Sequence, residues 1–180
     1  MTPTRVRALQ AAIDLLASGG LRALTHVQID ERAGLPKGST SNYFRTRAAL
    51  LIGVADWILA QELSPVRAAF SPRSPAEFVD ALCALLDLTT RDNRDLTTAR
   101  LVLFVEASHN EALREALSRG RATLGAGVTA ALAEMGAPDP EVAAESIAAC
   151  FEGLVLHRIA RNDYSDPRPI FTAIIAGALA

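Results

Sequence analysis

The stretch K-G-S-T-S-N-Y places small hydroxyl and amide side chains between Lys37 and Tyr43. Lys37 is the only lysine of the chain, although arginines are plentiful. Asn42 can pair with adenine through two hydrogen bonds, and the short side chains of Ser39 and Ser41 would let a helix approach the floor of a DNA groove. Lys37 and Tyr43 could contact phosphates on either side. Taken one by one, these residues favour a solvated polar turn. A helix that reads DNA is indicated only when the capping and glycine signals that precede them are counted as well.

A short helix and a sharp corner precede this stretch. Thr25 is predicted to cap the second helix, with Gln28 three residues on as in a capping box. Leu24 and Ile29 occupy the two positions of a hydrophobic staple. Gly34 falls where a helix ends in the left-handed conformation. A capped short helix, a glycine corner and a restart near the lysine together predict a helix-turn-helix.

Residues 24–51 resemble the DNA-binding signature of TetR-family transcriptional regulators. The residues that carry the resemblance are Thr25, Ile29, Ala33, Gly34, Gly38, Tyr43, Phe44, Arg47, Leu50 and Leu51. The resemblance implies an all-helical homodimer whose two N-terminal modules occupy successive major grooves of a roughly palindromic operator. It also implies a helical body that binds a small molecule and so changes the angle between those modules.

The family's base and phosphate contacts can be carried over to individual positions of this sequence. They fall on Thr25, His26, Lys37, Gly38, Ser39, Ser41, Asn42, Tyr43 and Arg47. Thr46 is expected to cap the fourth helix, whose free N–H groups would attract a phosphate beside Arg47. Thr40 and Phe44 are expected to turn at least partly toward the core.

Two positions depart from the family's pattern. Many relatives have an aromatic residue where this chain has Ser41. Asp30 occupies a position between the two helices that is usually small and often alanine. Its carboxylate either pairs with a basic side chain such as Arg32 or Lys37, or caps the third helix.

The charges of the chain are divided unevenly. Residues 1–50 carry seven basic and three acidic side chains, a net charge of +4, and the remaining 130 residues carry eleven and seventeen, a net charge of −6. A basic module joined to an acidic body indicates a polyanionic partner for the first part. With the resemblance, we expect a DNA-binding domain at residues 1–47 and a ligand-binding and dimerisation domain at residues 48–180.

The rest of the chain is predicted to be helical. The first helix should begin at Thr2-Pro3 or Thr4 and end at Gly19-Gly20, and the fourth carries an apolar stripe. The stripe comprises Leu50 or Leu51, Val54, Trp57 or Ile58, and Gln61. Residues 64–75, rich in Ser and Pro, are expected to be the clearest break. Further helices are expected at about 76–90, 93–108, 111–135, 139–162 and 167–179.

The last predicted helix is nearly uncharged and contains Ile170, Phe171, Ile174, Ile175 and Leu179. It could meet a stripe in the preceding helix, formed by Ile147, Phe151, Leu154 or Val155, and Ile159. From the residues alone, an internal core and an interface between subunits are equally good readings. The resemblance implies the interface.

Catalysis, cofactors and membranes are not indicated. G-A-G-V-T-A, residues 125–130, fits a dinucleotide fingerprint, but no strand precedes it, so it is expected to mark a weakened or bent helix. Glu106, Ser108 and His109 are too close in sequence to form a triad on a helix. Cys83 and Cys150 lack metal-ligand spacing and are expected to be buried, reduced thiols in the cytoplasm. The longest charge-free apolar run is too short to span a bilayer, and the N-terminus does not look like a signal peptide.

The sequence thus predicts a homodimeric, sequence-specific DNA-binding regulator, a repressor released by a small molecule, with no cofactor, metal or catalytic residue. The first alternative is a small-molecule carrier or sensor whose DNA-binding module has lost specificity. The second is a small helical enzyme. Ligand-binding residues cannot be singled out, because apolar pocket walls and apolar cores have the same sequence signature.

Overall fold

The computed structural model describes residues 2–69 and 72–180, without the side chains of residues 63–69 and 120–124. Within these residues the chain forms helices joined by turns and contains no strand, so the all-α prediction is confirmed. The helices are α1 (Pro3–Ala23), α2 (His26–Ala33), α3 (Ser39–Tyr43), α4 (Arg47–Ala69), α5 (Pro75–Asp87), α6 (Arg94–Glu106), α7 (Glu111–Glu134), α8 (Pro140–Arg161) and α9 (Arg168–Ala178). A π-helical turn, Leu88–Asp92, follows α5 directly. None of the described helices is both long and apolar enough to cross a membrane.

The ends of α1 agree with the sequence. The side chain of Thr2 accepts a hydrogen bond from the N–H of Arg5, and Pro3 takes the first helical position, where no N–H is needed. Gly20 has φ 65° and ψ −164°, values that break the helix, and a short helical stretch up to Ala23 follows. The expected end at Gly19-Gly20 is therefore confirmed as a break in the backbone.

The break expected at residues 64–75 is wrong over its first half. The α4 helix continues through Ser64 and Pro65 to Ala69. A proline removes one helical hydrogen bond, but a helix that already has many turns can propagate past such a loss. The boundary itself lies at Ser74, whose Oγ accepts from the N–H of Glu77 at the start of α5. Residues 70 and 71 lie outside the described residues.

The chain forms two compact units. The first contains Met1–Glu62 and Asp95–Gly120, and the second contains Leu63–Arg94 and Arg121–Ala180. The core of the first unit includes Leu9 and Ile13 of α1, Ile29 of α2, and Leu103 of α6. The predicted stripe of α4 joins this core through Leu50, Leu51, Val54 and Ile58, whereas Trp57 is half-buried and Gln61 is exposed. The first compact unit thus contains α1–α3, most of α4 and α6, and the first part of α7. The boundary expected at residue 47 between a DNA-binding and a ligand-binding domain stays a prediction.

The second unit buries the facing sides of α5, α8 and α9. Phe171 and Ile175 of α9 are fully enclosed, and the Phe171 ring stacks on Phe151 of α8 with centroids 6.3 Å apart. Ile147 and Val155 of α8 are buried as well. These residues belong to the apolar stripe of α8 that the sequence left open as core or interface. In the structure they lie in the internal core.

A buried arginine connects α8 to the π-helical turn. Nη1 of Arg158 donates to Asp87 Oδ1 at 2.5 Å and to Thr90 Oγ1 at 3.2 Å. The hydrogen bond and charge of Arg158 hold the pKa of Asp87 below its ordinary value, against the smaller effect of burial. The helix containing Gly125 and Gly127 runs from Glu111 to Glu134, and the weakened or bent stretch expected there stays a prediction.

Candidate nucleic-acid interface

The start of α2 is fixed by Thr25. Its Oγ1 accepts from the N–H of Gln28 at 3.2 Å, which confirms the predicted N-cap. In a full capping box the Gln28 side chain would accept from the N–H of Thr25. Here that N–H donates instead to the carbonyl of Ala23 at 3.1 Å. Leu24 and Ile29 are both fully buried, as expected of a hydrophobic staple.

The end of α2 is a left-handed corner at Gly34, with φ 60° and ψ 40°. Leu35 N–H donates to the carbonyl of Asp30 at 2.8 Å, and Gly34 N–H donates to that of Glu31 at 3.2 Å, which together form a Schellman motif. Arg7 of α1 adds a contact that the sequence did not predict, because its Nη2 donates to the carbonyls of Ala33 and Gly34. A cation at a helix C-terminus is a favourable arrangement, but no local pattern links Arg7 to residues so far along the chain.

The start of α3 is held by Asp30. Its Oδ2 accepts from Gly38 N–H at 2.7 Å, and its Oδ1 accepts from Thr40 N–H at 2.8 Å and from Thr40 Oγ1 at 2.5 Å. Of the two roles that the sequence left open for Asp30, capping α3 is therefore the observed one. Gly38 has φ 88°, so α3 begins at Ser39 and Lys37 lies in the preceding turn, slightly later than the sequence suggested.

The Asp30 side chain is almost fully enclosed, with 4 % of its residue surface exposed. Burial by itself would raise the pKa of this carboxyl group, but the hydrogen bonds from Thr40 and Gly38 and the nearby His26 hold it below its ordinary value. Asp30 is therefore ionised at neutral pH. A buried carboxylate that accepts three hydrogen bonds is a fixed part of the corner.

The end of α3 is held by His26 and Phe44. His26 Nε2 lies 2.6 Å from the carbonyl oxygen of Phe44, which acts as the acceptor. The Phe44 ring is buried, and a Cβ at Gly53 of α4 would come within 2.3 Å of its Cε1 atom. The absence of a side chain at Gly53 thus allows Phe44 to pack against α4. Thr40 is also buried, so both residues expected to turn inward do so.

The exposed side of the corner carries the residues predicted from the sequence. Lys37, Ser41, Asn42 and Tyr43 are exposed, whereas Gly38 and Ser39 are half-buried. The Tyr43 hydroxyl accepts from Thr2 Oγ1 at 3.0 Å. Ser39 Oγ donates to the carbonyl of Pro36 at 2.6 Å. The structure therefore brings all six of these residues to one short helix and the turn before it.

Arg47 makes internal contacts that the sequence did not predict. Its Nη1 donates to the carbonyl of Leu24 at 2.9 Å, and its Nη2 donates to that of Leu21 at 3.1 Å. Thr46 Oγ1 accepts from Ala49 N–H at 3.1 Å, which confirms the predicted cap of α4. Because a guanidinium has five N–H donors, the exposed Arg47 can tie the α1–α2 connection and still offer donors to another group.

The structure describes the serine and the two cysteines that the sequence analysis considered for catalysis or metal binding. Ser108 Oγ donates to the carbonyl of Val105 at 2.8 Å rather than to His109. Cys83 and Cys150 are free thiols that are half-buried rather than buried as expected. This partial burial raises the pKa of both thiols, which favours their protonated, unreactive form. Among the described side chains, no cluster of three or more His, Cys, Asp or Glu could hold a metal ion.

A protein-family model matches the C-terminal part of the sequence. The model described as "Tetracyclin repressor-like, C-terminal domain" covers residues 73–180. Among curated proteins, none matches the sequence.

Solved structures of similar fold cover almost the whole chain. A transcriptional regulator from Rhodococcus sp. Rha1 superposes with a TM-score of 0.87 at 21% identity, covering 97% of this chain and 95% of that one. A TetR-family member from Streptomyces coelicolor A3 gives 0.81 at 20% identity and covers 99% of both chains. The multidrug-binding protein EbrR, complexed with ethidium, gives 0.79 at 20% identity over 98% of this chain and 99% of its own. At these identities the likeness establishes the fold.

Proposed function

Because a tetracycline-repressor-like domain model covers more than half of it, the chain belongs to the TetR family, and we propose that it is a homodimeric, sequence-specific DNA-binding regulator. It acts in the cytoplasm, represses from a palindromic operator and is released by a small molecule. It is not an enzyme.

The observation that carries this proposal is the pairing of a fixed scaffold with an exposed polar face. Both ends of α3 are hydrogen-bonded to α2, through Asp30 at its start and His26 at its end. Between these anchors, Ser41, Asn42 and Tyr43 remain exposed. A short helix held rigidly with small polar side chains outward can enter a major groove and place donors against base edges.

The individual roles follow from the chemistry of each side chain. Asn42 reads a base, Ser39 and Ser41 make short contacts, and the backbone of Gly38 can approach closely because it carries no side chain. Lys37 and Tyr43 contact phosphates. The flanking contacts come from Thr25, His26 and Arg47, whose internal hydrogen bonds also fix their positions.

A second copy of the chain is proposed to cover one face of α8 and α9. Val142 and Leu156 of α8 are 59 % and 50 % exposed, and Ile170 of α9 is 46 % exposed. Small residues occur at helical spacing from these positions: Ala149 and Gly153 in α8, and Ala173 and Gly177 in α9. An apolar groove of about 380 Å³ lies between the start of α8 and the end of α9. Exposed apolar side chains separated by small residues suit close packing against another helix pair.

The proposed effector binds the helical body. Trp57 Nε1 is buried and has no hydrogen-bond partner in the structure, so it is a donor that the acceptor of a bound molecule could satisfy. Any ligand that releases DNA must bind the DNA-incompetent arrangement more tightly, since equal affinity for both arrangements shifts nothing. The complex of EbrR with ethidium concerns that protein, and it supports small-molecule control here by analogy alone.

The test is a selection of bound sequences from random duplex DNA, followed by affinity measurements on the selected site and on random DNA. We expect a palindrome, and we expect Asn42→Ala to relax base choice at particular positions. Lys37→Ala should weaken binding to all DNA and reduce the slope of log K against log salt by about one unit. Lack of enrichment for any sequence would instead favour a small-molecule carrier whose module has lost specificity.

A further inference from the structure

The Asp30 carboxylate stands out because its charge opposes the proposed partner. It lies in a module whose first 50 residues have a net charge of +4, and it is enclosed by protein. DNA phosphates are repelled by a negative charge, and a buried charge is screened less by salt than an exposed one. A residue that lowers attraction to DNA is expected to have a compensating role.

The three hydrogen bonds of Asp30 indicate that role. Its carboxylate accepts from Gly38 N–H, Thr40 N–H and Thr40 Oγ1, which are the groups at the start of α3. The α3 helix has only five residues, too few for a stable isolated helix, and its first N–H groups have no partner within the helix. The direction of α3 is therefore set by groups outside it.

We infer that Asp30 is a positioning residue that fixes α3 before DNA arrives, and that it increases base selectivity without adding to the affinity for random DNA. This inference rests on the proposed function. A helix already held in its binding orientation loses little freedom on docking, and its Asn42 and Ser41 side chains meet base edges in one register. A loosely held helix can still contact phosphates, but it adjusts equally to many sequences.

The test compares two substitutions that remove the same charge from α2. Asp30→Asn keeps the size of the side chain, but its NH₂ group faces the Gly38 N–H as donor against donor. Glu31→Gln removes the neighbouring charge, which is exposed. If Asp30 acted only through its charge, both variants would bind operator and random DNA more tightly by similar factors.

We expect the two variants to differ. Glu31→Gln should leave the ratio of operator to random affinity unchanged. In Asp30→Asn that ratio should fall about tenfold, the loss expected for charge-assisted hydrogen bonds, while affinity for random DNA stays equal or rises. The salt slope should not change in either variant, because neither removes a phosphate contact.

Two further variants keep the inference testable if Asp30→Asn does not fold. Thr40→Val removes only the hydroxyl donor and should give an intermediate loss of selectivity, whereas Thr40→Ser keeps that donor and should resemble the unchanged protein. Without DNA, hydrogen exchange of the Gly38 and Thr40 amides should be faster in Thr40→Val than in Thr40→Ser or Glu31→Gln.

The outcomes separate this inference from the proposed function. If the unchanged protein selects no operator, both are overturned. If it selects an operator and neither Asp30→Asn nor Thr40→Val reduces the affinity ratio below that of Glu31→Gln, the inference alone is overturned. A fall in the ratio for Asp30→Asn or Thr40→Val, with retention for Thr40→Ser and Glu31→Gln, supports it.

Discussion

The corner between α2 and α3 and the pair formed by α8 and α9 are stabilised by different kinds of contact. In the corner, Asp30 and His26 bond to backbone groups of the next helix, and Arg7 bonds to those at the end of α2. In the α8–α9 pair, stacked Phe151 and Phe171 and other apolar side chains supply the contacts. Hydrogen bonds are directional, whereas apolar burial is not. The orientation of α3 therefore depends on directional contacts, whereas the packing of α8 on α9 depends on buried apolar area.

The largest expected effect concerns the exposed face of α8. Leu156→Glu would place a charge in the proposed interface, and burying an unpaired charge there costs free energy in each of the two copies. We expect the protein to be monomeric at micromolar concentration, measured by analytical ultracentrifugation. Val105→Glu, at another exposed apolar residue, should leave the assembly unchanged. A dimeric Leu156→Glu protein would show that α8 pairs through other residues.

Phe171→Ala tests the apolar side of the comparison within one chain. The ring is fully buried, and its loss should lower the free energy of unfolding by about 3–5 kcal/mol. Denaturant titration at fixed protein concentration measures the change. Thr172→Ala, on the exposed side of the same helix, should change it by less than about 0.5 kcal/mol. Equal effects at the two positions would contradict the packing described here.

Gly53→Ala tests the contact between the corner and α4. The new methyl group would overlap the Phe44 ring, so we expect a loss of about 1–3 kcal/mol in the free energy of unfolding. Gly125→Ala is the matched control, because nothing lies within 4 Å of the added Cβ and helix propensity should stabilise the protein by about 0.5–1 kcal/mol. Thermal unfolding of both variants gives the signs, and a stabilising Gly53→Ala would refute the close approach.

The smallest expected effect is the pH dependence of the corner. The pKa of Asp30 in the folded protein lies below its ordinary value of 3.8, so its contribution to stability is complete above that value. As the pH falls through the folded pKa, the carboxylate is protonated and the contribution is lost. The difference in unfolding free energy between the unchanged protein and Asp30→Asn should therefore be constant near neutrality and shrink below about pH 4. A difference that grows on acidification would contradict this sign.

The local signals in the sequence were sufficient to predict much of the corner. The cap at Thr25, the left-handed Gly34 and the inward Thr40 all depend on residues within a few positions of each other. The break expected after residue 64 failed, because the backbone of α4 continues past a proline that composition alone marks as a breaker.

The exposed residues proposed to contact DNA, such as Asn42 and Tyr43, could be predicted from the sequence. The long-range contacts that hold their helix in place could not. The bonds of Arg7 to Gly34 and of Arg47 to Leu24 join residues more than twenty positions apart, and so does the contact of the Arg5 guanidinium with the Phe44 ring. Nothing in the local pattern chooses between the possible partners of a long charged side chain.

The sequence by itself determined the helical class, the order of the helices and the identity of the exposed face of α3, because periodicity, caps and glycine corners act over one or two turns. Tertiary structure decided that Asp30 caps α3, that Arg47 ties the α1–α2 connection, and that Ile147 and Val155 lie in the core. These outcomes depend on which groups meet in space, and a hydrogen bond or a buried contact forms only where two elements bring complementary atoms within a few ångströms.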